Sequence, residues 1–377
     1  NIGKKILGIA AISIFIILFI FATQIATVLL GDLEGGNTIK DVALAIRCVS
    51  FAILVVPFLS VSKGYLQGHN IINVSSTSQV IEQIVRIAII LLGSFLVINV
   101  FNKGTTLAVC IAVTGAFFSA LVAYLYVTKK IRDNKKQLEI KDLVKDEDIS
   151  NRDITKKIIN YAIPFIIINI IYSLYNFTDM VLVLRTMDYI GFSALDTEFI
   201  SSTISTWSTK ISIIISSIAM GMTVSLILTI VNAFTLKKFD EVNDKLNQAL
   251  QMIIMISLPM TIGLSLLNKP VWSIFYGIEN VYGYRILAIA VWVAFIANIF
   301  SITGSTLQSL NKFKLVYKSS LLGLIINASL DVPMMLLYNK IGVPAYLGAS
   351  SASIIGYTIS TIYALRKLKK EHALSYN

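Results

Sequence analysis

The 377-residue chain is 56% hydrophobic and only 14% charged, with a mean hydropathy of +0.77, which excludes an ordinary soluble domain. The net charge of +11 does not indicate nucleic-acid binding, because the basic residues lie in loops between apolar runs and not on one folded face. Apolar runs of about 20 residues recur from end to end, so the composition predicts an all-α, polytopic membrane protein.

About ten apolar runs are long enough to be transmembrane helices, and short polar turns separate them. They cover residues 6–30, 42–62, 74–100, 105–128, 158–184, 200–231, 246–267, 286–307, 315–338 and 346–365. Pro164 and Pro333 lie inside two of these runs, and each indicates a break in its helix.

Residues 129–157 carry ten basic and seven acidic side chains, which is too much charge for a segment buried in lipid. This segment is predicted to be a charged linker or an amphipathic surface helix between two lobes. It divides the chain into an N-terminal lobe, residues 1–128, with four spans and a C-terminal lobe, residues 158–370, with six.

The distribution of lysine and arginine predicts the orientation. Ten crossings place both ends of the chain and the linker on one side of the membrane, and that side holds 23 of the 32 basic residues. By the positive-inside rule, both ends and the linker are expected to be cytoplasmic.

One polar stretch interrupts this apolar pattern near its start. Residues 64–70 predict a turn, and the following helix carries Gln79, Glu82 and Arg86 on one face. That face lies about 15 Å into the helix, near the middle of a bilayer, where ionisable groups usually face a bundle interior or a watery cavity. The Glu82–Arg86 pair either neutralises itself as a structural ion pair or forms the wall of a substrate cavity.

Other cations inside or near the apolar runs are candidates for binding an anionic substrate. They are Lys210, Arg185, Arg285 and Arg47. Lys210 is the most informative because it lies about ten residues inside its run, although a lysine at this depth can also extend to the outer headgroups.

Two carboxylates lie inside apolar runs of the C-terminal lobe. Asp179 is a candidate for binding a coupling proton or Na⁺, or it pairs with Arg185 or Lys210. Asp331 has the same ion-coupling role as one interpretation, and capping of the helix break before Pro333 as the other.

The residues needed for enzyme chemistry are scarce. The chain has two cysteines, Cys48 and Cys110, and two histidines, His69 and His372, with no phosphate-binding loop or nucleophile elbow. We therefore expect no enzyme activity, no metal and no organic cofactor. A transport activity would draw its energy from an ion gradient or the membrane potential, with possible H⁺ or Na⁺ coupling.

The two lobes are weakly similar in sequence. At an offset of 241 residues, Leu66, Gln67 and Asn70 coincide with Leu307, Gln308 and Asn311, whereas Gly323 and Asn327 stand where the N-terminal lobe has Glu82 and Arg86. Matched spans cross in the same direction, so the lobes are predicted to be parallel repeats.

Several segments resemble one transporter family. They are GYLQG and SQVIEQIVR in residues 64–86, YAIPFIIINIIYSLYNFTDMVLVLR in 161–185, LPMTIGLSLLNKPVWSIFYG in 258–277, LQSLNKF in 307–313 and GASSASIIGY in 348–357. Together they are similar to the stage V sporulation protein B-like polysaccharide transporters. These belong to the multidrug, oligosaccharidyl-lipid and polysaccharide (MOP) exporter superfamily, which includes the lipid II flippases.

The resemblance implies a fold like that of the multidrug (MATE) exporters, with about fourteen spans in two six-helix lobes plus two more helices. In that register the chain begins at the third span and stops after the twelfth, so the N-terminal lobe is incomplete. The expected activity is flipping of an undecaprenyl-linked oligosaccharide or a lipid II-like peptidoglycan precursor by alternating access. The expected partners are this lipid-linked substrate and membrane lipids, without nucleic acid, and we expect a monomer.

Two alternatives remain at this point. The chain is a cation-coupled multidrug exporter of the same superfamily, or it is a truncated membrane fragment that transports nothing. An anionic lipid headgroup requires convergent cations, whereas a cationic drug requires carboxylates and aromatic rings, so Arg86 and Lys210 favour the flippase.

Overall fold

The structure is a computed structural model that describes residues 2–31, 37–69, 71–134, 151–277 and 280–372. All regular secondary structure in these ranges is helical. Eight helical segments within them are long and apolar enough to cross a membrane, by length and composition alone. The prediction of an all-α, polytopic membrane protein is therefore confirmed.

The chain forms two compact units, with a boundary between Tyr161 and Ala162. In the first unit the described helices are α1 (Ile2–Ile20), α2 (Ala22–Leu30), α3 (Ile39–Ile53), α4 (Val56–Gly68), α5 (Ile72–Phe95), which continues into a π-helical turn at Leu96–Val100, and α6 (Thr105–Asp133).

Helix α6 is the centre of the first unit, because α3, α4 and α5 all pack against it. Small residues such as Ala120 and Ala123 are fully buried on α6, which lets the neighbouring helices approach closely. At the other end of the helix, Thr106 Oγ1 donates a hydrogen bond of 3.0 Å to Asp41 Oδ1 of α3. This contact joins the first turns of α3 and α6.

Two predicted spans of this unit are each built from two helices. The span at 6–30 is interrupted at Phe21, and the span at 42–62 is interrupted at residues 54–55, just before α4, which has Pro57 in its first turn. The turn predicted at 64–70 is wrong for its first five residues, because α4 continues to Gly68. Pairing of the backbone inside the helix outweighs the low helix propensity of Gly64 and Gly68.

The second unit comprises the remaining helices. They are α7 (Asn151–Ile190), whose first turns precede the boundary, α8 (Ala194–Ser202), which a π-helical turn at Thr203–Trp207 joins to α9 (Ser208–Thr235), α10 (Phe239–Leu266), α11 (Asn268–Tyr276), α12 (Val281–Ser309), α13 (Phe313–Lys340) and α14 (Leu347–His372). Helix α12 packs against α9, α10 and α14, and α13 packs along α14.

The helix breaks predicted at Pro164 and Pro333 are wrong. Helices α7 and α13 run continuously through these residues. Proline removes one backbone donor, but a transmembrane helix tolerates the loss when neighbouring helices and side chains satisfy the freed carbonyl. Asp331 therefore does not cap a helix end.

Not every predicted span is among the eight membrane-length helices. Residues 200–231 and 346–365 are helical, in α8–α9 and α14, but they are not among these eight segments, which lie wholly in the described part of the chain. Within the predicted linker, residues 129–133 belong to α6, residue 134 follows α6, and residues 151–157 form the start of α7. Residues 135–150 lie outside the described part of the chain. The lobe boundaries at 128 and 158 stay predictions.

Glycine at position 348 allows α14 to begin in direct contact with α13. A Cβ atom at Gly348 would lie 2.5–2.7 Å from backbone atoms of Met334 and Met335, which cannot move aside as a side chain can. We expect Gly348→Ala to lower the free energy of unfolding by about 1–3 kcal/mol. Thermal or denaturant unfolding of the purified protein in detergent measures the change.

Gly263→Ala is the matched control, because a Cβ atom at Gly263 on α10 meets nothing within 4 Å. This substitution should leave the stability unchanged or raise it by up to about 1 kcal/mol. Equal effects of the two substitutions would show that the close approach of α13 and α14 does not contribute to stability.

Candidate functional site

Two acidic side chains meet inside the second unit, where α7, α13 and α14 converge. Asn327 Nδ2 donates hydrogen bonds to Asp179 Oδ1 and, at 3.3 Å, to Asp331 Oδ2. Ser353 Oγ donates to the second oxygen of Asp179 at 2.9 Å. We call these four residues the paired-carboxylate site.

The paired-carboxylate site is buried, and the groups that bond to its carboxylates are uncharged. Asp331 and Asn327 are fully buried, and Asp179 is 8% exposed. An amide and a hydroxyl orient a carboxylate but do not neutralise it. Since two buried carboxylates this close repel each other, both remain ionised only if a cation joins them, and otherwise they share a proton.

The paired-carboxylate site also holds oxygen atoms without a partner among the described residues. These are Oδ1 of Asp331 and Oδ1 of Asn327, both inaccessible to solvent. Carboxylate, amide and hydroxyl oxygens are the ligands that hard cations prefer. No group of three His, Cys, Asp or Glu residues suited to a metal ion occurs in the described ranges. The oxygens of the paired-carboxylate site can accept a proton or contact a small cation.

A cavity of about 330 Å³ adjoins the paired-carboxylate site, with Asp179 and Ser353 on its wall. Its other polar residues are Tyr175, Asn176, Thr209, Ser212, Ser216, Ser350 and Tyr357. Asn176 and Thr209 are exposed, whereas Ser212 is 4% exposed and its hydroxyl has no partner among the described residues. The cavity gives water or a hydrated ion a polar space between the surface of this unit and Asp179.

Close backbone contact holds the helices around this site. A Cβ atom at Gly323 would lie 2.0 Å from Ser360 Oγ and 2.5 Å from the hydroxyl of Tyr175. The rings of Tyr175 and Tyr357 stack with their centroids 4.6 Å apart. The absence of a side chain at position 323 therefore lets α7, α13 and α14 meet at the level of the carboxylates.

A second polar cluster lies in the first unit, between α4 and α5. Glu82 Oε1 accepts from Arg86 Nη2 at 2.7 Å, and Glu82 Oε2 accepts from Lys63 Nζ at 3.2 Å. The side chains of Glu82, Lys63 and Arg86 are 14%, 18% and 32% exposed. One carboxylate thus holds two cations, and the cluster carries a net positive charge beside a partly open surface.

Four other predicted site residues are on the surface, whereas Arg47 is partly buried and donates to Thr23 Oγ1 at 3.3 Å. Gln79, Arg185, Lys210 and Arg285 are exposed, on α5, α7, α9 and α12 respectively. The hydrogen bonds that the structure shows to Asp179 come from Asn327 and Ser353. The assignment of these surface cations to a substrate site stays a prediction.

Sequence reasoning missed three functional candidates, Lys63, Asn327 and Ser353. Lys63 belongs to the basic residues that the charge distribution places on the cytoplasmic side, and its sequence position alone does not indicate a contact with Glu82. Ser353 lies in a stretch of small residues that is typical of helix packing. A signal for Asn327 was available, because it occupies the position of Arg86 in the repeat. An amide at the position that holds an intramembrane arginine in the other repeat is therefore a candidate functional residue, just as a charged side chain would be.

Comparisons with known proteins agree with this architecture. The family described as polysaccharide biosynthesis protein matches residues 4–191, and the family described as MatE matches residues 164–332. The chain is 30% identical over 382 residues to the lipid II flippase MurJ of Bacillus subtilis (strain 168), covering 99% of this chain and 69% of that protein.

Solved structures show the same fold. The lipid II flippase MurJ in an inward closed conformation has a TM-score of 0.69 at 16% identity, over 96% of this chain and 70% of that one. An inward-facing MATE family multidrug transporter of the MOP superfamily also gives 0.69, at 14% identity, over 96% of this chain and 79% of that one.

An all-α membrane protein with this fold and a buried, ionisable site inside one unit is a transporter of the bacterial cell membrane. More specifically, the chain belongs to the family of lipid II flippase-type polysaccharide transporters within the MOP superfamily.

Proposed function

We propose that this transporter flips an undecaprenyl-linked sugar intermediate, of the lipid II or polysaccharide-precursor type, across the cytoplasmic membrane. The observation that carries the proposal is the 30% identity to a lipid II flippase over 99% of the chain. Such a substrate has an anionic diphosphate head that cannot cross hydrocarbon without compensating cations.

The charges of the first unit support an anionic substrate. In the Lys63–Glu82–Arg86 cluster, two cations share one carboxylate, so the cluster can still attract a negative group. Arg86 is the more exposed of the two cations, and its Nε has no partner among the described residues. We assign Arg86 to the diphosphate and Glu82 and Lys63 to holding its guanidinium in place, with exposed Lys210 as a further cation.

We further propose that a proton or Na⁺ bound at the paired-carboxylate site drives the cycle. Binding of a cation between Asp179 and Asp331 removes their repulsion, so it stabilises whichever arrangement of α7, α13 and α14 keeps them together. Losing the cation favours an arrangement that separates them. This is the differential affinity that alternating access requires.

The proposed orientation has both chain ends on the cytoplasmic side and follows the asymmetry of the basic residues. Fusion of a reporter that is active only in the cytoplasm to the ends of the chain tests it. Inactive fusions at both ends would reverse the assignment.

Complementation tests the flippase proposal. The protein should restore growth to a bacterium depleted of its own lipid II flippase. Arg86→Ala and Lys210→Ala should abolish growth at unchanged membrane abundance, because each removes a cation from the substrate path. Growth of both variants at the wild-type rate would contradict the anion site.

The runner-up is a cation-coupled multidrug exporter, and the match of residues 164–332 to the MatE family favours it. Proteoliposomes separate the two functions. The flippase moves a fluorescent lipid-linked diphosphate sugar and leaves a lipophilic cationic dye in place, whereas the exporter does the reverse. Transport of neither compound by reconstituted, folded protein would favour a membrane protein without transport activity.

A further inference from the structure

A groove of about 340 Å³ runs along the surface of α13 and α14 at the end where α13 begins and α14 ends. One part of its wall is apolar, formed by Leu322, Ile359 and Ile362. The other part is cationic, formed by Arg366, Lys367 and Lys370. We call this surface the basic groove, and we infer that it binds an anionic phospholipid of the cytoplasmic leaflet.

The two parts of the basic groove are separated along the helix axis. From Ile359 to Lys370 is eleven residues, or about 16 Å of α-helix. The apolar residues therefore lie deeper in the membrane, and the cations lie at its boundary. A ligand that uses the whole groove has hydrocarbon at one end and negative charge at the other, which is the chemistry of an anionic lipid.

Tyr363 lies between the two parts of the groove. Lys367 Nζ is 6.0 Å from the centre of its ring, so the ring and the stem of the lysine hold each other in place. Tyrosine favours the level of the lipid headgroups, where its ring meets hydrocarbon and its hydroxyl meets water. This position marks where the glycerol backbone of a bound lipid would lie.

The described charges on the two helices that form the basic groove, near the groove, are of one sign. Residues 313–322 and 359–370 contain six basic and no acidic side chains, and the nearest acidic residue along α14 is Glu371, whose side chain lies outside the described part. Lys318 is exposed and lies one turn before Leu322 on α13, so it adds to the cationic end. Basic pockets between transmembrane helices on the cytoplasmic side are a known means of binding anionic headgroups.

A soluble anion explains this surface less well than a lipid. Phosphate in water could bind the three cations, but it would make no use of the apolar wall. Ile362 is 43% exposed, so an acyl chain bound in the groove would cover apolar surface that phosphate leaves open to water. The inference rests on the proposed orientation only for the choice of leaflet, and it does not depend on the transported substrate.

Binding of phosphatidylglycerol to the purified protein in detergent tests the inference, with phosphatidylcholine as the neutral reference lipid. Native mass spectrometry or a fluorescent lipid gives the dissociation constants. The triple variant R366Q/K367Q/K370Q should bind phosphatidylglycerol about one hundredfold more weakly than the wild type and phosphatidylcholine equally well. A wild-type constant in this variant would overturn the inference.

Two further variants separate groove binding from simple charge and from a soluble anion. K237Q/K238Q/K245Q removes three basic residues near the turn between α9 and α10, and it should keep wild-type affinity; an equal loss would mean that only net charge matters. I362W keeps every cation but fills the apolar part, so it should weaken phosphatidylglycerol binding at least tenfold. Unchanged binding in I362W, with full competition by inorganic phosphate, would show a soluble-anion site and overturn the lipid assignment.

Discussion

Asp179→Asn is expected to abolish transport while leaving the protein at least as stable as the wild type. The amide has the shape of the carboxylate, and its oxygen can still accept from Asn327, while its nitrogen can donate to the Ser353 hydroxyl, which both donates and accepts. It removes the negative charge that would hold a proton or Na⁺. A charge-assisted contact of about 2–3 kcal/mol is lost, so cation-driven transport should fall about one hundredfold or more.

The stability should change in the opposite direction. Removing one of two buried, mutually repelling carboxylates is neutral or stabilising, because the desolvation cost of the charge disappears with it. Thermal unfolding in detergent should show a midpoint equal to or above that of the wild type. Loss of activity together with gained stability distinguishes a functional site from a structural one.

Asp188→Asn is the matched control for this experiment. It makes the same substitution on the same helix, but Asp188 is exposed, so transport and stability should both remain near wild type. Transport should be measured in proteoliposomes against both Na⁺ concentration and pH. If transport by the Asp179→Asn variant still increases with Na⁺ concentration or with proton concentration, the coupling site lies elsewhere.

Glu82→Gln is expected to destabilise the first unit more than either substitution of its partners. Glu82 accepts from Lys63 at 3.2 Å and from Arg86 at 2.7 Å. Without its charge, two partly buried cations face each other with no anion between them. We expect the free energy of unfolding to fall by about 1–3 kcal/mol, and by about 1 kcal/mol or less for Lys63→Gln or Arg86→Gln, since each leaves one ion pair intact.

The exposed pair of Lys238 and Glu241 provides the control. Its charged atoms are 3.7 Å apart on side chains that are 61% and 47% exposed, so Glu241→Gln should change the stability by less than about 0.5 kcal/mol. Denaturant unfolding of the four variants measures the order. Equal losses for the three members of the cluster would mean that Glu82 does not hold both cations together.

The sequence predicted the fold class well because a bilayer restricts the alternatives. Long apolar runs in lipid can only be helices or closed barrels, and the runs here are too long and too uniformly apolar for barrel strands. Finer breaks were harder to predict. Pro164 and Pro333 do not end their helices, whereas Phe21 and residues 54–55 interrupt spans that look uniform in sequence. Packing against neighbouring helices decides such breaks, and hydropathy does not record it.

The site was predictable only where one helix carries both partners. The spacing of Glu82 and Arg86 implied their contact, because both lie on α5 one turn apart. Lys63 joins them from α4, and Asp179 meets Asn327 across 148 residues of sequence. Contacts of this kind depend on how helices approach one another, which no periodicity within a single helix reveals.

The predicted repeat places a charged side chain in the first unit and an uncharged one in the second unit at equivalent positions. In the first unit Arg86 is a fixed positive charge beside Glu82, and in the second unit Asn327 takes the same position and brings no charge to Asp179 and Asp331. The first cluster carries its positive charges permanently, so in the proposed cycle it needs no cation from solution. In the proposed cycle, the second acquires its positive charge from one side of the membrane and releases it to the other. Each such charge that crosses the field would gain about 2.3 kcal/mol per 100 mV, so the proposal predicts that membrane voltage acts directly on this unit.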